Sequence, residues 1–249
     1  MNMDIYKKLI EYRCFNKEEL IELAGSVSSA EWFINNYLQK GYIERVRRNL
    51  YTVISLETLQ SLANRFQIAS HVSTDACISH HTAFEYYGYA NQVFYDVYIS
   101  SNSRMRPFEY DGYSYVLISK NNNKDIIHTN NGIRVTSIEQ TVIDCICDLE
   151  KTGGLEEFIK CLTMVQSLNT EKLLNILRTY GYEQLYQKTG YILEEFKNEL
   201  TLSDEFFKEC EKRCSHSKTY LISNHKNFVL NKKWKIYVPN DLKGYSSEG

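Results

Sequence analysis

Ser28 to Val53, SSAEWFINNYLQKGYIERVRRNLYTV, is the stretch from which the fold is read. Ser28 followed three residues later by Glu31 is the reciprocal pattern that satisfies orphan amides at a helix start, and Gly41 is the matching stop. Ala30, Phe33, Ile34, Tyr37 and Leu38 recur at three-and-four spacing, so one face of this helix packs inward. The opposite face carries Ser28, Ser29, Trp32, Asn35, Asn36 and Gln39. Hydroxyl and amide groups with little charge are the chemistry that reads base edges in a major groove. Beyond Gly41, Tyr42 to Arg48 and Leu50 to Val53 alternate as two short strands with Asn49 at their turn. Lys40, Arg45, Arg47 and Arg48 then set cations beside the helix, where they neutralise phosphates. A solvated amphipathic helix followed by a hairpin with arginines on its wet side accounts for the same residues without DNA.

The preceding segment favours the first reading. Asp4 to Arg13 and Asn16 to Ala24 read as two further short helices, the second opened by the capping pair Asn16 and Glu19 and stopped by Gly25. Three short helices and a basic hairpin, in this order and within one small-domain length, make a winged helix-turn-helix over residues 1–54, and point to binding of double-stranded DNA. Ser55 to Ala69 places Leu56, Leu59, Leu62, Ala63 and Phe66 at helical spacing, and reads as a connecting helix over 55–70. No Gly/Ser-rich or Pro-rich linker interrupts it. The fold class expected is α+β, with this N-terminal module followed by a larger mixed α+β domain over 71–242 and a flexible tail over 243–249.

The 249 residues suffice for two domains, and a hydrophobic content of 43% is ordinary for globular protein. A net charge of -2 excludes a nucleic-acid coating protein, so contact with DNA has to come from local basic surface. Mean hydropathy is -0.43. No apolar run approaches the roughly 20 residues of a membrane span, and the start MNMDIYKK lacks a secretory hydrophobic region, so no membrane partner is expected and the cytoplasm is the default compartment. Seven cysteines, an odd number, read as reduced and mostly buried thiols.

Further along, Ala76 to Ser79 reads as a strand, and Ser79 opens a helix, HHTAFEYYG, that stops at Gly88. His80 and His81 point about 100° apart on a helix, so they cannot chelate one metal as residues four apart would, and both are read as core or interface histidines. Val93 to Ser100 is a strand, Tyr110 to Lys120 holds an Asp111-Gly112 hairpin turn, and Ile133 to Thr136 follows an Asn-Gly turn. From Ser137 the pattern is helical, with helices over Leu155 to Ser167, Glu171 to Tyr180, Gln184 to Leu200 and Ser203 to Cys214. Strands return at Thr219 to Ile222, Phe228 to Leu230 and Trp234 to Val238.

No catalytic residue is assigned. The closely spaced aspartates of a nucleotidyltransferase are absent, and Asp96, Glu109, Asp111 and Lys120 lack the compact spacing of a nuclease metal site. Cys210, Cys214, His216 and His225 lie near one another in sequence, but no C-x-x-C occurs, and neither metal nor cofactor is expected. Near the end, Lys212, Arg213, Lys218, Lys226, Lys232, Lys233 and Lys235 interleave with Tyr220, Phe228, Trp234 and Tyr237. Such a pattern tracks a nucleic-acid backbone, and equally marks an edge strand guarded by lysines.

Four pieces in this order resemble the AbiEi antitoxins: KGYIERVRRNLYTV (40–53), ISHHTAFEYYGYANQVFYDVYIS (78–100), IRVTSIEQTVIDCICDLEKTGG (133–154) and TGYILEEF (189–196). The resemblance implies a transcriptional regulator of a type IV toxin-antitoxin, phage abortive-infection system. Its winged helix would bind inverted repeats in its own promoter and repress the operon. Its C-terminal domain would serve cooperative repression and counter a nucleotidyltransferase toxin without forming a stable complex. By the same resemblance Arg45, Arg47, Arg48 and Tyr51 match the wing, the helix from Ser28 to Gln39 matches the recognition helix, and Gly190 to Glu194 matches a C-terminal motif read here as a structural helix contact. A winged helix that meets protein instead of DNA, or a metal-dependent nuclease-like protein, is the competing reading.

Overall fold

A computed structural model describes residues 3–119, 125–223 and 228–239. The chain is α+β, with helices α1 (Met3–Tyr12), α2 (Lys17–Ala24), α3 (Val27–Gln39), α4 (Arg65–His71), α5 (His80–Tyr87), α6 (Ile138–Cys147), α7 (Leu155–Met164), α8 (Thr170–Tyr180), α9 (Glu183–Glu195) and α10 (Asp204–Lys212). The strands are β1 (Cys14–Asn16), β2 (Ile43–Arg47), β3 (Leu50–Val53), β4 (Cys77–Ile78), β5 (Asp96–Ser101), β6 (Phe108–Tyr110), β7 (Tyr113–Ser119), β8 (Ile126–His128), β9 (Arg134–Thr136), β10 (Thr219–Tyr220), β11 (Phe228–Asn231) and β12 (Ile236–Pro239). No helix among the described residues is long and apolar enough to cross a membrane.

The first seven elements of the N-terminal region run helix, strand, helix, helix and hairpin, then α4. The capping signals act as read: Asn16 accepts from the Glu19 amide while Glu19 accepts from the Asn16 amide, and Gly25 closes α2 in the left-handed conformation that glycine adopts without penalty. One strand was not foreseen. The three residues Cys14–Asn16 pair antiparallel with β3, giving a sheet of order β1-β3-β2. Leu9, Phe15, Leu20, Ala30, Tyr37 and Val53 are at its buried centre.

The expected connecting helix over 55–70 is not formed as one element. After Ile54 bridges Ser61, the chain turns at 55–60, where Ser55 Oγ accepts from the Glu57 and Thr58 amides, and Leu56 and Leu59 are exposed. Side-chain bonds to local amides favour turns over helix. The helix begins only at Arg65, capped by Asn64 and Gln67.

The chain divides into two compact units, and the division does not follow the boundary expected at 55–70. The first takes the described residues within 1–78, 95–121 and 127–135, so the N-terminal module shares a unit with most of a six-stranded sheet of order β6-β7-β5-β4-β9-β8. In that sheet β5 runs parallel to β7 and β4 parallel to β9, while β4–β5 and β6–β7 are antiparallel. The Asp111-Gly112 turn joins β6 and β7 with both residues at positive φ, as the two-residue hairpin requires. Two half-buried polar anchors hold this unit. Burial raises the Asp75 carboxyl, but the Ser101, Ser73 and Ser103 hydroxyls and the Asn102 amide outweigh it and keep the group at about 2. The Arg134 guanidinium donates to the carbonyls of Ala76, Ser73 and Ser70.

The second unit takes the described residues of 79–94, 125–126 and 136–239, with helices α5 to α10 and a sheet of order β10-β12-β11. Phe84, Ile143, Phe158, Leu173, Ile192 and Phe206 centre its core. Helix α9 carries the 189–196 motif, and its glycine is explained by packing: a Cβ at Gly190 would overlap the six-membered ring of the fully buried Trp234. Glu194, one turn on, accepts from Trp234 Nε1 at 2.8 Å, and Gln187 Nε2 donates to the Trp234 carbonyl at 3.1 Å. The motif is thus the bed of the C-terminal strands, the structural contact expected for it.

Candidate nucleic-acid interface

The cap of helix α3 lies two residues before the expected one. Ser26 is the N-cap, its Oγ accepting from the Ser29 amide at 3.2 Å and donating to Ser29 Oγ at 2.8 Å. Glu31 makes no reciprocal cap and takes Lys17 Nζ at 2.7 Å. Ala30, Phe33, Ile34 and Tyr37 form the buried stripe and Leu38 is half-buried, as the spacing predicts. On the other face Ser28, Trp32, Asn35 and Gln39 are exposed, and Ser29 and Asn36 half-buried. The side chains of Asn35, Asn36 and Gln39 have no partner among the described residues, so their amides are available to a ligand. Trp32 stands 54% exposed with its ring edge-on to Phe33.

The hairpin that follows is short and tied down. Its register shifts between Arg45 and Arg47, and Asn49 turns the chain at a φ of 63°. The Asn49 side chain accepts from the Lys17 amide at 3.1 Å and donates to Glu18 at 2.7 Å, which fixes the tip to the start of α2. Lys40, Arg45 and Arg48 are exposed. Arg47 and Tyr51 depart from the sequence reading. Arg47 is half-buried with its guanidinium 5.1 Å from the Phe108 ring centre and one nitrogen, Nη1, buried without a partner. Burial also lowers its pKa from the usual arginine value. Tyr51 is 6% exposed, stacked on Phe15, and the Arg45 guanidinium lies 5.6 Å from its ring centre. Both residues therefore build the hairpin, with Tyr51 a platform for Arg45. For Tyr51 the reason is that β3 is the central strand of its sheet, so all four of its positions are buried and simple alternation fails, whereas Arg47, on the edge strand β2, is covered by Phe108.

Of the C-terminal basic residues, two are held in ion pairs and one lies near a backbone carbonyl. Arg213 pairs with Glu209 at 2.5 Å, Lys233 pairs with Glu194, and Lys235 Nζ is 3.5 Å from the Ser215 carbonyl. Lys212, Lys218 and Lys232 are exposed, and Lys226, like His225, lies outside the described residues. Trp234 is fully buried and Tyr220 stacks on Tyr237 at 4.7 Å, so these aromatics serve the sheet.

Among the candidates for chemistry, Asp96 and Glu109 both pair across to Ser114 from opposite neighbours, which separates them by two strand spacings, about 9.6 Å. Asp111 is exposed on the β6–β7 turn, and Lys120 lies outside the described residues. Of the cysteine group, Cys210 is buried and Cys214 half-buried, with burial raising the Cys214 thiol to about 11, while His216 is exposed. His80 and His81 are both buried, as read. Burial and then Lys151 lower His80 to about 3, and Ser79 Oγ lies 2.9 Å from its Nδ1.

No family model matches the chain, and no curated protein sequence matches it. Among solved structures, the crystal structure of the RV2827C protein from Mycobacterium tuberculosis is similar, with a TM-score of 0.59 and 15% sequence identity over 94% of this chain and 89% of that one. At this identity the likeness is one of fold.

Proposed function

We propose that the N-terminal module is a winged helix that binds duplex DNA, and that the chain is the autoregulatory antitoxin of a type IV toxin-antitoxin system. The observation that carries the first part is the outer face of α3. Asn35, Asn36 and Gln39 are uncommitted there, with Lys40, Arg45 and Arg48 exposed beyond the helix end. Amide side chains pair bidentately with adenine in the major groove, and exposed cations fix the register through phosphates. The module as a whole is close to neutral, with eight Lys and Arg against seven Asp and Glu in residues 1–54, so on this reading the local cations Lys40, Arg45 and Arg48 supply the phosphate contacts. The regulatory part rests on the resemblance of the four sequence pieces to the AbiEi antitoxins. On that reading the operator holds inverted repeats, and the second unit opposes a nucleotidyltransferase toxin without stable binding.

A second reading has its own observation. Val27 and Trp32 are 52% and 54% exposed, and Trp32 with Ile5, Ala24 and Phe33 lines a cleft between α1 and α3, a surface suited to a protein partner. A mobility-shift titration against the DNA upstream of the gene, with a scrambled duplex as control, separates the two. Preferential shifting at near-physiological salt, in two cooperative steps, supports the regulator. Equal affinity for both duplexes removes it and leaves the protein-binding module.

A further inference from the structure

In the second unit, two helices place two pairs of residues four apart against one another: His81 and Glu85 on α5, and Glu157 and Cys161 on α7. His81 and Cys161 are fully buried and Glu157 is 4% exposed. His81 Nε2 lies 3.2 Å from Glu157 Oε1, and Cys161 Sγ lies 3.5 Å from the same oxygen. One ligand atom from each residue falls within 4.8 Å of the others. Two ligands at zinc distances across a tetrahedral edge are separated by about 3.4–3.6 Å, which is close to the two separations from Glu157 Oε1, to His81 Nε2 and to Cys161 Sγ.

Two further features go beyond the cluster itself. The second carboxylate oxygen of Glu157, Oε2, is buried with no hydrogen-bond partner, a costly state for a carboxylate and one that a cation relieves. On the far side of the imidazole, His81 Nδ1 is 2.9 Å from Glu85 Oε1, which also accepts the Phe94 amide at 3.0 Å. A carboxylate on the far ring nitrogen is the arrangement that orients a histidine ligand, and it leaves Nε2 facing Glu157. The ring is held from above by Phe94, stacked 3.7 Å away, and Phe94 fits because residue 153 is glycine: a Cβ there would come within 2.6 Å of it.

We infer that His81, Glu157 and Cys161 form a three-ligand binding site for a thiophilic divalent cation of the zinc class, with Glu85 as the positioning residue. Coordination sends the Cys161 proton to solvent, and the charge of the ion beside Glu157 offsets the burial of its unpartnered oxygen. The site joins α5 to α7 and lies outside the DNA-binding module, so it stands whether or not the proposed function holds.

The test uses the full-length protein, stripped with chelator and titrated with cobalt(II) as the probe. The expected result is one equivalent bound, with a thiolate-to-cobalt charge-transfer band and intense tetrahedral d–d absorption, both displaced by zinc. Cys161→Ser removes the charge-transfer band, while Cys214→Ser and Cys147→Ser leave it unchanged. Glu85→Gln weakens affinity by about 10- to 100-fold and keeps the band. Should Cys161→Ser fail to fold, Glu157→Gln, which retains an acceptor for the Gln92 amide, is expected to abolish the rise in thermal midpoint that zinc gives the wild type. A wild-type protein that takes up no cobalt, or a thiolate band that survives in Cys161→Ser, overturns the inference.

Discussion

Arg47 shows how one residue changes the experiment. Its neighbours Arg45 and Arg48 are exposed, whereas Arg47 lies on Phe108, so the three arginines of the hairpin are not equivalent. With Lys40, Arg45 and Arg48 on phosphates, log affinity is expected to fall against log salt with a slope of roughly -3 per protomer, and Arg45→Ala with Arg48→Ala brings it to roughly -1. That double variant keeps its thermal midpoint. Arg47→Glu buries a carboxylate beside an aromatic ring, and is expected to destabilise the fold by on the order of 2 kcal/mol. Titration calorimetry across salt concentrations and thermal unfolding check the two halves; a stable Arg47→Glu that loses DNA binding would return Arg47 to the interface. Asp144 supplies a second prediction. Burial raises its carboxyl to about 7 even though Tyr180 Oη donates to it at 2.5 Å and Gln140 Nε2 at 2.7 Å. The folded state therefore holds a proton that the unfolded chain releases near the usual carboxylate value. The stability this gives is complete below about pH 4 and is lost as pH rises through 7. Asp144→Asn, which keeps the acceptor oxygen, is expected to be more stable than wild type at pH 8, with the difference vanishing near pH 4, as measured by thermal midpoints across pH.

At the scale of the element, helix α9 is the clearest case of sequence and packing agreeing. A glycine inside a helix costs about 1 kcal/mol relative to alanine, and here that cost is offset because Trp234 lies where a Cβ would be. Gly190→Ala is thus expected to lower stability instead of raising it, by about 1–3 kcal/mol as overpacking does. It is also expected to shift the tryptophan emission to longer wavelength as the indole leaves its bed. An alanine variant more stable than wild type, with unchanged emission, would show that the helix tolerates the methyl group. The cap of α3 is the contrary case. Ser26 and Ser28 both carry the right hydroxyl, and Glu31 three residues after Ser28 made that position the better match, but Glu31 is drawn to Lys17 from α2. Local signals located the helix and a distant lysine decided its first turn.

At the scale of the molecule, the N-terminal module is part of a larger unit. Within it Tyr110 Oη donates to Glu44 at 2.8 Å, Arg47 packs on Phe108, and Arg65 lies 4.8 Å from the Tyr113 ring centre. A fragment ending at residue 70 lacks all three aromatic partners. It is expected to unfold at a lower temperature than the same module in the full chain, by several degrees for each ~1 kcal/mol lost in a domain this small. Circular dichroism melts of the fragment and the full-length protein measure this; equal midpoints would mean that the module is independent of the sheet.

The sequence by itself determined the elements: the positions of nearly all helices, the capping pair Asn16 and Glu19, the Gly25 and Gly88 stops, the Asp111-Gly112 and Asn49 turns, and the α+β class. These follow from periodicity and from backbone conformations that particular residues favour, which are local properties. The tertiary structure alone decided which residues meet. It added the three-residue strand β1, too short to carry a pattern and held only by pairing with β3. The expected connector is broken by a local competition that periodicity does not report, serine-to-amide bonds in the 55–60 turn against helical spacing. Tyr51 and Arg47 were withdrawn from the outer face because the strands and rings that cover them come from elsewhere in the chain. It also joined His81 to Glu157 and Cys161, 76 and more residues apart, a juxtaposition that no spacing rule reports because a buried site is assembled by packing between helices.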